Sequence, residues 1–371
     1  MLRLRLDTHI MLIGETDMSK KNNALNNIFV EGLGGMTQGL FATLIIGTIM
    51  QQIGLLVGGT TGNYLYVIGR VGANLTGAGI GVGVAYRLGA QSLVMVSAAT
   101  VGMIGAFASR ILAGNFLKNG AIVLEGPGET LGAFVAVYVG VMVGELIAGK
   151  TKLDLLITPV VTIGSGSIIG LLVGPPISRF MIGVGNVVNW ATDQQPLIMG
   201  MLVAVIMGML LTSPISSAAL AVVLDLSGLA AGAATIGCCC NMIGFAVASF
   251  RENKLSGLLA QGIGTSMLQM PNIIRRPLIW LPAIISSAIL GPVGTLVAHM
   301  RNTSTGAGMG SSGLVGQIMT WQVMTETESS FQVLVKIGLL HFILPAIVTL
   351  SIAELMRKKG WIKFGDMGLY L

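Results

Sequence analysis

The stretch "GTSMLQMPNIIRRPLIWLP" (residues 264–282) sets two adjacent arginines, Arg275 and Arg276, in apolar sequence and between Pro271, Pro277 and Pro282. A helix that only filled a bilayer would carry neither feature, because proline removes a backbone donor and clashes with the turn before it. The stretch therefore reads as backbone that enters an apolar medium, turns and leaves, with the next span starting at Pro277. The arginine pair marks the exit, paired or snorkelling toward a membrane face. A grip on an anionic group is the sharper alternative reading of the same pair.

Composition agrees with a membrane setting. Of 371 residues, 53% are hydrophobic and 10% charged, and the mean hydropathy is +0.83. Soluble domains carry about 25% charged residues. Runs such as "LGAFVAVYVGVMVGELIAG" and "FQVLVKIGLLHFILPAIVTLSIAELM" approach or reach the ~20 residues that cross a hydrocarbon core. The 53 glycines suit close helix packing and broken helices buried in protein. The net charge of +6 comes from residues scattered between apolar runs, as loop charge falls under the positive-inside rule. That pattern argues against a nucleic-acid partner.

The expected fold is an all-α polytopic membrane protein with about nine or ten membrane-associated segments. Within it, a polar N-terminal segment (1–27) precedes a single transport domain (28–356) and a basic cytoplasmic tail (357–371) containing "RKKGWIK". "MSKKNNALNN" reads as a natural polar start, so Met18 is the expected first residue and 1–17 an addition. "GPP" (174–176) is expected to end a span, because proline does not continue a helix. The following "ISRFMIGVGNVVNWATDQQ" has the spacing of an amphipathic helix lying at the interface. "TSPISSAAL" (212–220) is a polar interruption too short and too apolar for an exposed loop. Sides assigned from lysine and arginine alone do not close: "KTKLD", "RENK" and the tail all favour one face, and simple span counting does not bring them there. Extra re-entrant hairpins reconcile the count.

Several residues carry chemistry weakly. Cys238, Cys239 and Cys240 are consecutive, so on a helix they diverge by about 100° each and do not converge on a metal. They read as small packing residues. His9, His299 and His341 have no metal-ligand spacing, and no metal or other cofactor is expected. His341 lies mid-span, where an ionisable group is a functional candidate, although a neutral packing histidine is the simpler reading. "GMGSSG" (308–313) matches a dinucleotide-binding spacing without the strand–turn–helix context such a site needs, and reads instead as flexible backbone lining a polar cavity. Glu125 and Glu129 flank a Pro-Gly in "VLEGPGETLG". They read as a solvated loop, with a polyol or cation site as the alternative.

Two motifs carry a family resemblance. Fructose-type sugar permeases of the phosphotransferase system have a membrane component, IIC, with a Phe-Asp-Met-Gly-Gly-Pro-Val-Asn-Lys-Ala-Ala-Tyr stretch. "MLLTSPISSAAL" (209–220) keeps Pro214, Ala218 and Ala219 of it. A later Gly-Ile-Thr-Glu-Gly-Ala-Ile-Pro motif, with prolines six and eleven residues on, is matched in register by "GTSMLQMP" (264–271), Pro277 and Pro282. From about 150 to 300 the chain thus resembles these IIC domains. With "GAGMGSSGLVG" (306–316) it is most similar to the IIC-like branch that includes PfoR-type regulatory membrane proteins.

The resemblance implies a multi-pass protein of a bacterial cell membrane, working as a homodimer in the lipid bilayer with IIA and IIB phosphocarriers. Its solute would be a sugar or another small polar molecule. It also implies a substrate cavity formed by two re-entrant hairpins, around Thr212–Ala219 and Gly264–Asn272. The residues expected to bind there are Thr212, Ser213, Pro214, Ser216, Gln269, Pro271 and Asn272. The departures are specific. Met267 stands where the family has a glutamate thought to assist proton removal from the sugar, and a thioether accepts no proton at neutral pH. Leu210, Ser216 and Ser217 replace an aspartate, an asparagine and a lysine. A solute-binding sensor and an ion-coupled transporter without phosphotransfer stay open on the sequence.

Overall fold

The computed structural model describes residues 27–118, 120–124 and 126–369. The polar N-terminal segment up to residue 26, the expected start at Met18, His9 and Glu125 lie outside the described residues. The chain is built from helices, with one pair of two-residue strands, Leu117–Lys118 and Ala121–Ile122. Ten helices carry the fold: α1 (Leu33–Val57), α2 (Gly59–Asn74), α3 (Thr76–Arg87), α4 (Ser92–Ala106), α5 (Thr130–Glu145), α6 (Asp154–Thr192), α7 (Pro196–Thr212), α8 (Gly228–Ala248), α9 (Pro277–Val297) and α10 (Ser330–Lys358). Among the described residues, α1, α6, α8, α9 and α10 are long and apolar enough to cross a membrane. The pair α2–α3, bent by 55° at Leu75, makes a sixth, and α4, α5 and α7 are shorter apolar helices.

Two packed halves result. One buried cluster gathers Met36, Ile80, Val94, Val101 and Val137 from α1, α3, α4 and α5. A second gathers Val188, Val203, Met207, Ala234 and Cys238 from α6, α7 and α8. Water does not drive helices together inside lipid, so close van der Waals approach must do it. The glycines make that approach. A Cβ on Gly237 of α8 would lie 1.9 Å from the Ala204 carbonyl oxygen of α7, and one on Gly39 of α1 would lie 2.2 Å from the Gly79 carbonyl of α3.

Two expectations change. "GPP" does not end a helix: Pro175 and Pro176 lie inside the 39-residue α6. Each proline removes one donor from a ladder that long apolar flanks keep in place, and membrane helices tolerate this. Residues 177–192 are therefore the continuation of α6 rather than a separate helix; at 1.5 Å per residue α6 is about 58 Å long, more than a ~30 Å hydrocarbon core requires. The tail, in turn, folds back on the body, with Ile362 and Met367 buried beside Phe245, Ile273 and Met356.

The sidedness problem also resolves. Arg87 pairs with Glu31 at 3.2 Å, and Gln91 ties the α3–α4 turn to Glu145 and Ala148 beside "KTKLD". Arg251 pairs with Glu354 at 3.1 Å, Arg357 with Glu252 at 3.5 Å and Arg276 with Asp366 at 3.8 Å, which joins "RENK", the arginine pair and the tail. A crevice lined by Arg87, Arg275, Asn272 and Gly368 connects the two groups. These charged breaks therefore occupy one end of the molecule, here called the basic end, and re-entrant segments supply the missing reversals.

Candidate functional site

The first reversal follows α7. Pro214 lacks a donor and pushes Ser213 into extended backbone (φ −76°, ψ 164°), so the helix stops at Thr212. The Ser213 hydroxyl donates back to the Met209 carbonyl at 2.7 Å. A short helix, Ser217–Val223, returns toward the start of α8. The turn lies at the depth of Asn241, midway along α8, because the Thr212 hydroxyl donates to Asn241 Oδ1 at 3.1 Å.

The second reversal comes from the basic end. A widened turn at Ala260–Gly264 leads to extended Thr265, whose hydroxyl accepts the Met267 N–H at 3.2 Å. A tight turn at Ser266–Gln269 and the short helix Met270–Arg275 carry the chain back out. Ser266 Oγ lies 2.8 Å from Thr212 Oγ1, so the two hairpin tips meet. A third glycine-rich reversal, residues 302–314, enters between them. The Ser311 hydroxyl donates to the Gly262 carbonyl at 2.6 Å, and Ser217 donates to the Gly308 carbonyl at 2.7 Å. Asn241 ties this centre to α9, accepting the Trp280 indole N–H at 2.9 Å.

Where the tips meet lies a small cavity of about 50 Å³, lined by Ser216, Ser217, Thr265, Met267, Gly308 and Ser312. It shares Leu44, Ala218 and Met309 with a cavity of about 720 Å³ on the side away from the basic end. The larger space is walled by apolar side chains and by polar and charged ones that include Gln51, Gln52, Arg70, Asn74, Arg110, Glu129 and Thr305. Apolar walls with a few convergent polar groups are the usual make-up of a small-molecule site. The third reversal lines both spaces through Met309, as the reading of "GMGSSG" expected.

Glu129 is the acid of this site. It immediately precedes α5, its N–H is held by the Ala106 carbonyl at 2.8 Å, and the next residue, Thr130, donates to the Pro214 carbonyl of the first hairpin at 3.3 Å. Its carboxyl has no hydrogen-bond partner among the described residues, and burial raises its pKa above the ordinary glutamate value. Glu129 is therefore a half-buried part of the cavity wall, which corrects the solvated-loop reading. The signal was present in the sequence as an acid between Gly-Pro-Gly and an apolar helix, but nothing local tells such a turn from a surface one.

The residues singled out from sequence divide into two groups. Thr212, Ser213, Pro214 and Ser216 lie at the meeting of the tips, with Ser216 lining the small cavity. Gln269 and Asn272 turn toward the basic end. Gln269 Nε2 donates to the carbonyl of Met367 and to Gln261 Oε1, both at 2.9 Å, while Asn272 Nδ2 donates to the Gly368 carbonyl and to Gln269 Oε1, again at 2.9 Å. Pro271 lines the crevice beside them. The three cysteines are fully buried. Cys238 touches the Met207 and Ala307 carbonyls, and Cys239 accepts from Gln317 at 3.4 Å, which is the behaviour of packing groups. His341 is buried as well, its Nδ1 3.4 Å from Gln317 Nε2.

A family model described as "Phosphotransferase system, EIIC" matches residues 30–369, and the chain belongs to that family. No curated protein matches the sequence.

Proposed function

We propose that this EIIC-family chain is the permease subunit of a sugar phosphotransferase system, and that it holds a small polyhydroxylated solute in the larger cavity beside the hairpin tips, with Glu129 as the carboxyl that engages a solute hydroxyl. The supporting observation is the meeting of re-entrant tips from opposite ends of the molecule beside a polar-lined cavity. Transporters place their sites at such mid-membrane breaks, where unpaired backbone groups and helix ends are free to bind a solute. By the positive-inside rule the basic end faces the cytoplasm, so the larger cavity opens outward. Ser216, Thr265 and the Gly308 backbone line the inner end of the solute path, and Thr212, Ser213 and Pro214 shape the tip that carries Ser216. The chain works as a homodimer in a bacterial cell membrane with IIA and IIB carriers.

Met267 bears on the chemistry. The second hairpin presents a thioether where a proton acceptor would be needed, so any activation of a solute hydroxyl falls to Glu129, whose pKa burial raises above the ordinary glutamate value. The test is uptake of a panel of radiolabelled sugars into proteoliposomes, with and without phosphorylated IIB, for the wild type and Glu129→Gln. A lost hydrogen bond to a charged group costs about 1.5–3 kcal/mol, which corresponds to roughly a 10- to 100-fold fall in apparent affinity. Uptake by the variant equal to wild type removes Glu129 from the site. Binding without flux replaces the permease reading by that of a sensor.

A further inference from the structure

The end of the chain is held by side-chain amides. Asn253 Nδ2 donates to the Met367 carbonyl at 2.8 Å, and Asn253 Oδ1 accepts the Leu369 N–H at 2.7 Å. Gln269 and Asn272, on the outgoing arm of the second hairpin, hold the carbonyls of Met367 and Gly368. Gln269 is in turn oriented by Gln261, whose own amide donates to Ser249 Oγ at 2.9 Å and to the Gly257 carbonyl at 3.0 Å. Three amide side chains, Asn253 ahead of the hairpin and Gln269 and Asn272 on its outgoing arm, thus bind the backbone of a segment that has no helix or strand of its own, with Gln261 positioning one of them. Two further contacts pin it: Arg276–Asp366 at 3.8 Å, and the Gly365 N–H to Glu252 at 3.3 Å.

We propose that residues 361–369 form a strap that locks the second hairpin and closes the basic end of the molecule, and that its release from the amide cradle opens that end. The large cavity is open on the opposite side, so a passage through the molecule requires the basic end to open in turn, and the strap spans the place where the hairpin would have to move. Such a segment is suited to reversible release. A stretch without regular structure opens locally at lower free energy than a packed helix, and the cradle amides would exchange peptide carbonyls for water. Ile362 and Met367, both buried, give the docked state its apolar anchor. The permease reading supplies only the purpose of the opening; the lock itself is tested without any solute.

The reporter is Thr37→Cys, a 1% exposed position lining the crevice beside Gly368. The three native cysteines are 0% exposed and give a quiet background. The full-length protein in proteoliposomes is treated with a charged thiol reagent. Replacing Asn253 and Asn272 together by alanine is expected to raise the labelling rate at residue 37 about tenfold, which corresponds to ~1.4 kcal/mol, with the native cysteines still silent. A second variant works in the opposite sense. Asn272→Cys with Gly368→Cys, where Gly368 has room for a Cβ, is expected to cross-link on oxidation and slow labelling below the wild-type rate, reversibly with reductant. Unchanged labelling in both variants overturns the strap. Equal exposure of the native cysteines in the alanine variant also overturns it, because the segment would then be part of the general fold. If labelling follows the strap while no solute in the panel is transported, the strap stands and the permease reading fails.

Discussion

Asn241 holds the centre of the molecule, and replacing it by leucine tests how much of the hairpin arrangement depends on one amide. Its Oδ1 accepts from Thr212 at 3.1 Å and from Trp280 at 2.9 Å, while its Nδ2 donates to the Gly237 carbonyl at 3.1 Å and reaches Ser287 at 3.4 Å. Leucine has nearly the same shape and none of these bonds. Most partners have a second choice. Thr212 keeps Ser266 and the Gly208 carbonyl, and Ser287 keeps the carbonyls of Ala283 and Gly237. The Trp280 indole N–H is the group left without an acceptor.

An orphaned donor costs about 1–3 kcal/mol, and Trp280 is only partly buried, which favours the low end. Side-chain hydrogen bonds between membrane helices average ~0.6 kcal/mol each. Together these give about 2 kcal/mol for Asn241→Leu. Trp280→Phe removes the donor that would be orphaned, so the double variant should be less destabilised than the sum of the singles by about 1 kcal/mol. The assay is reversible unfolding in mixed detergent–SDS micelles followed by circular dichroism, for the wild type, both singles and the double. Additivity within about 0.3 kcal/mol would show that the Asn241–Trp280 bond does not tie α8 to α9, and the network logic of the site would fall with it.

Two further outcomes follow from packing and charge. Gly237→Ala forces a Cβ to 1.9 Å from the Ala204 carbonyl, so α7 and α8 must separate. A loss of about 3 kcal/mol or more should appear as a lower melting temperature by size-exclusion chromatography, whereas Gly164→Ala, which meets nothing within 4 Å, should melt like the wild type. For Glu129, burial raises the folded-state pKa, so the folded protein holds this proton more tightly than the unfolded chain does. The stability tied to it is full below the ordinary value of 4.5 and is lost as pH rises through the raised value. Melting curves for wild type and Glu129→Gln should therefore diverge as pH rises, the wild type losing ground, and a pH-independent difference would contradict a buried carboxyl.

Much of this molecule is legible in its sequence because lipid imposes a simple rule: backbone polar groups must be paired within a segment. Long apolar runs therefore announce spans, and polar or proline-bearing interruptions such as "TSPISSAAL" and "GTSMLQMP" announce the places where a span reverses. The register of Pro271, Pro277 and Pro282 is local, and so is the departure at Met267. What the residues at those breaks face is another matter. Gln269 and Asn272 have the right chemistry for a solute, yet they bind the chain's own end, a partner about 100 residues away. Glu129 looks like a loop acid until α4, α5 and the first hairpin close around it. "GPP" looks like a stop until the flanking turns of α6 outweigh two missing donors. Periodicity and composition report on neighbours along the chain, and the sequence by itself determined an all-α membrane protein broken at defined points. Which broken ends meet, and which polar groups remain open to a solute, depends on contacts between distant segments, and only the tertiary structure decided those.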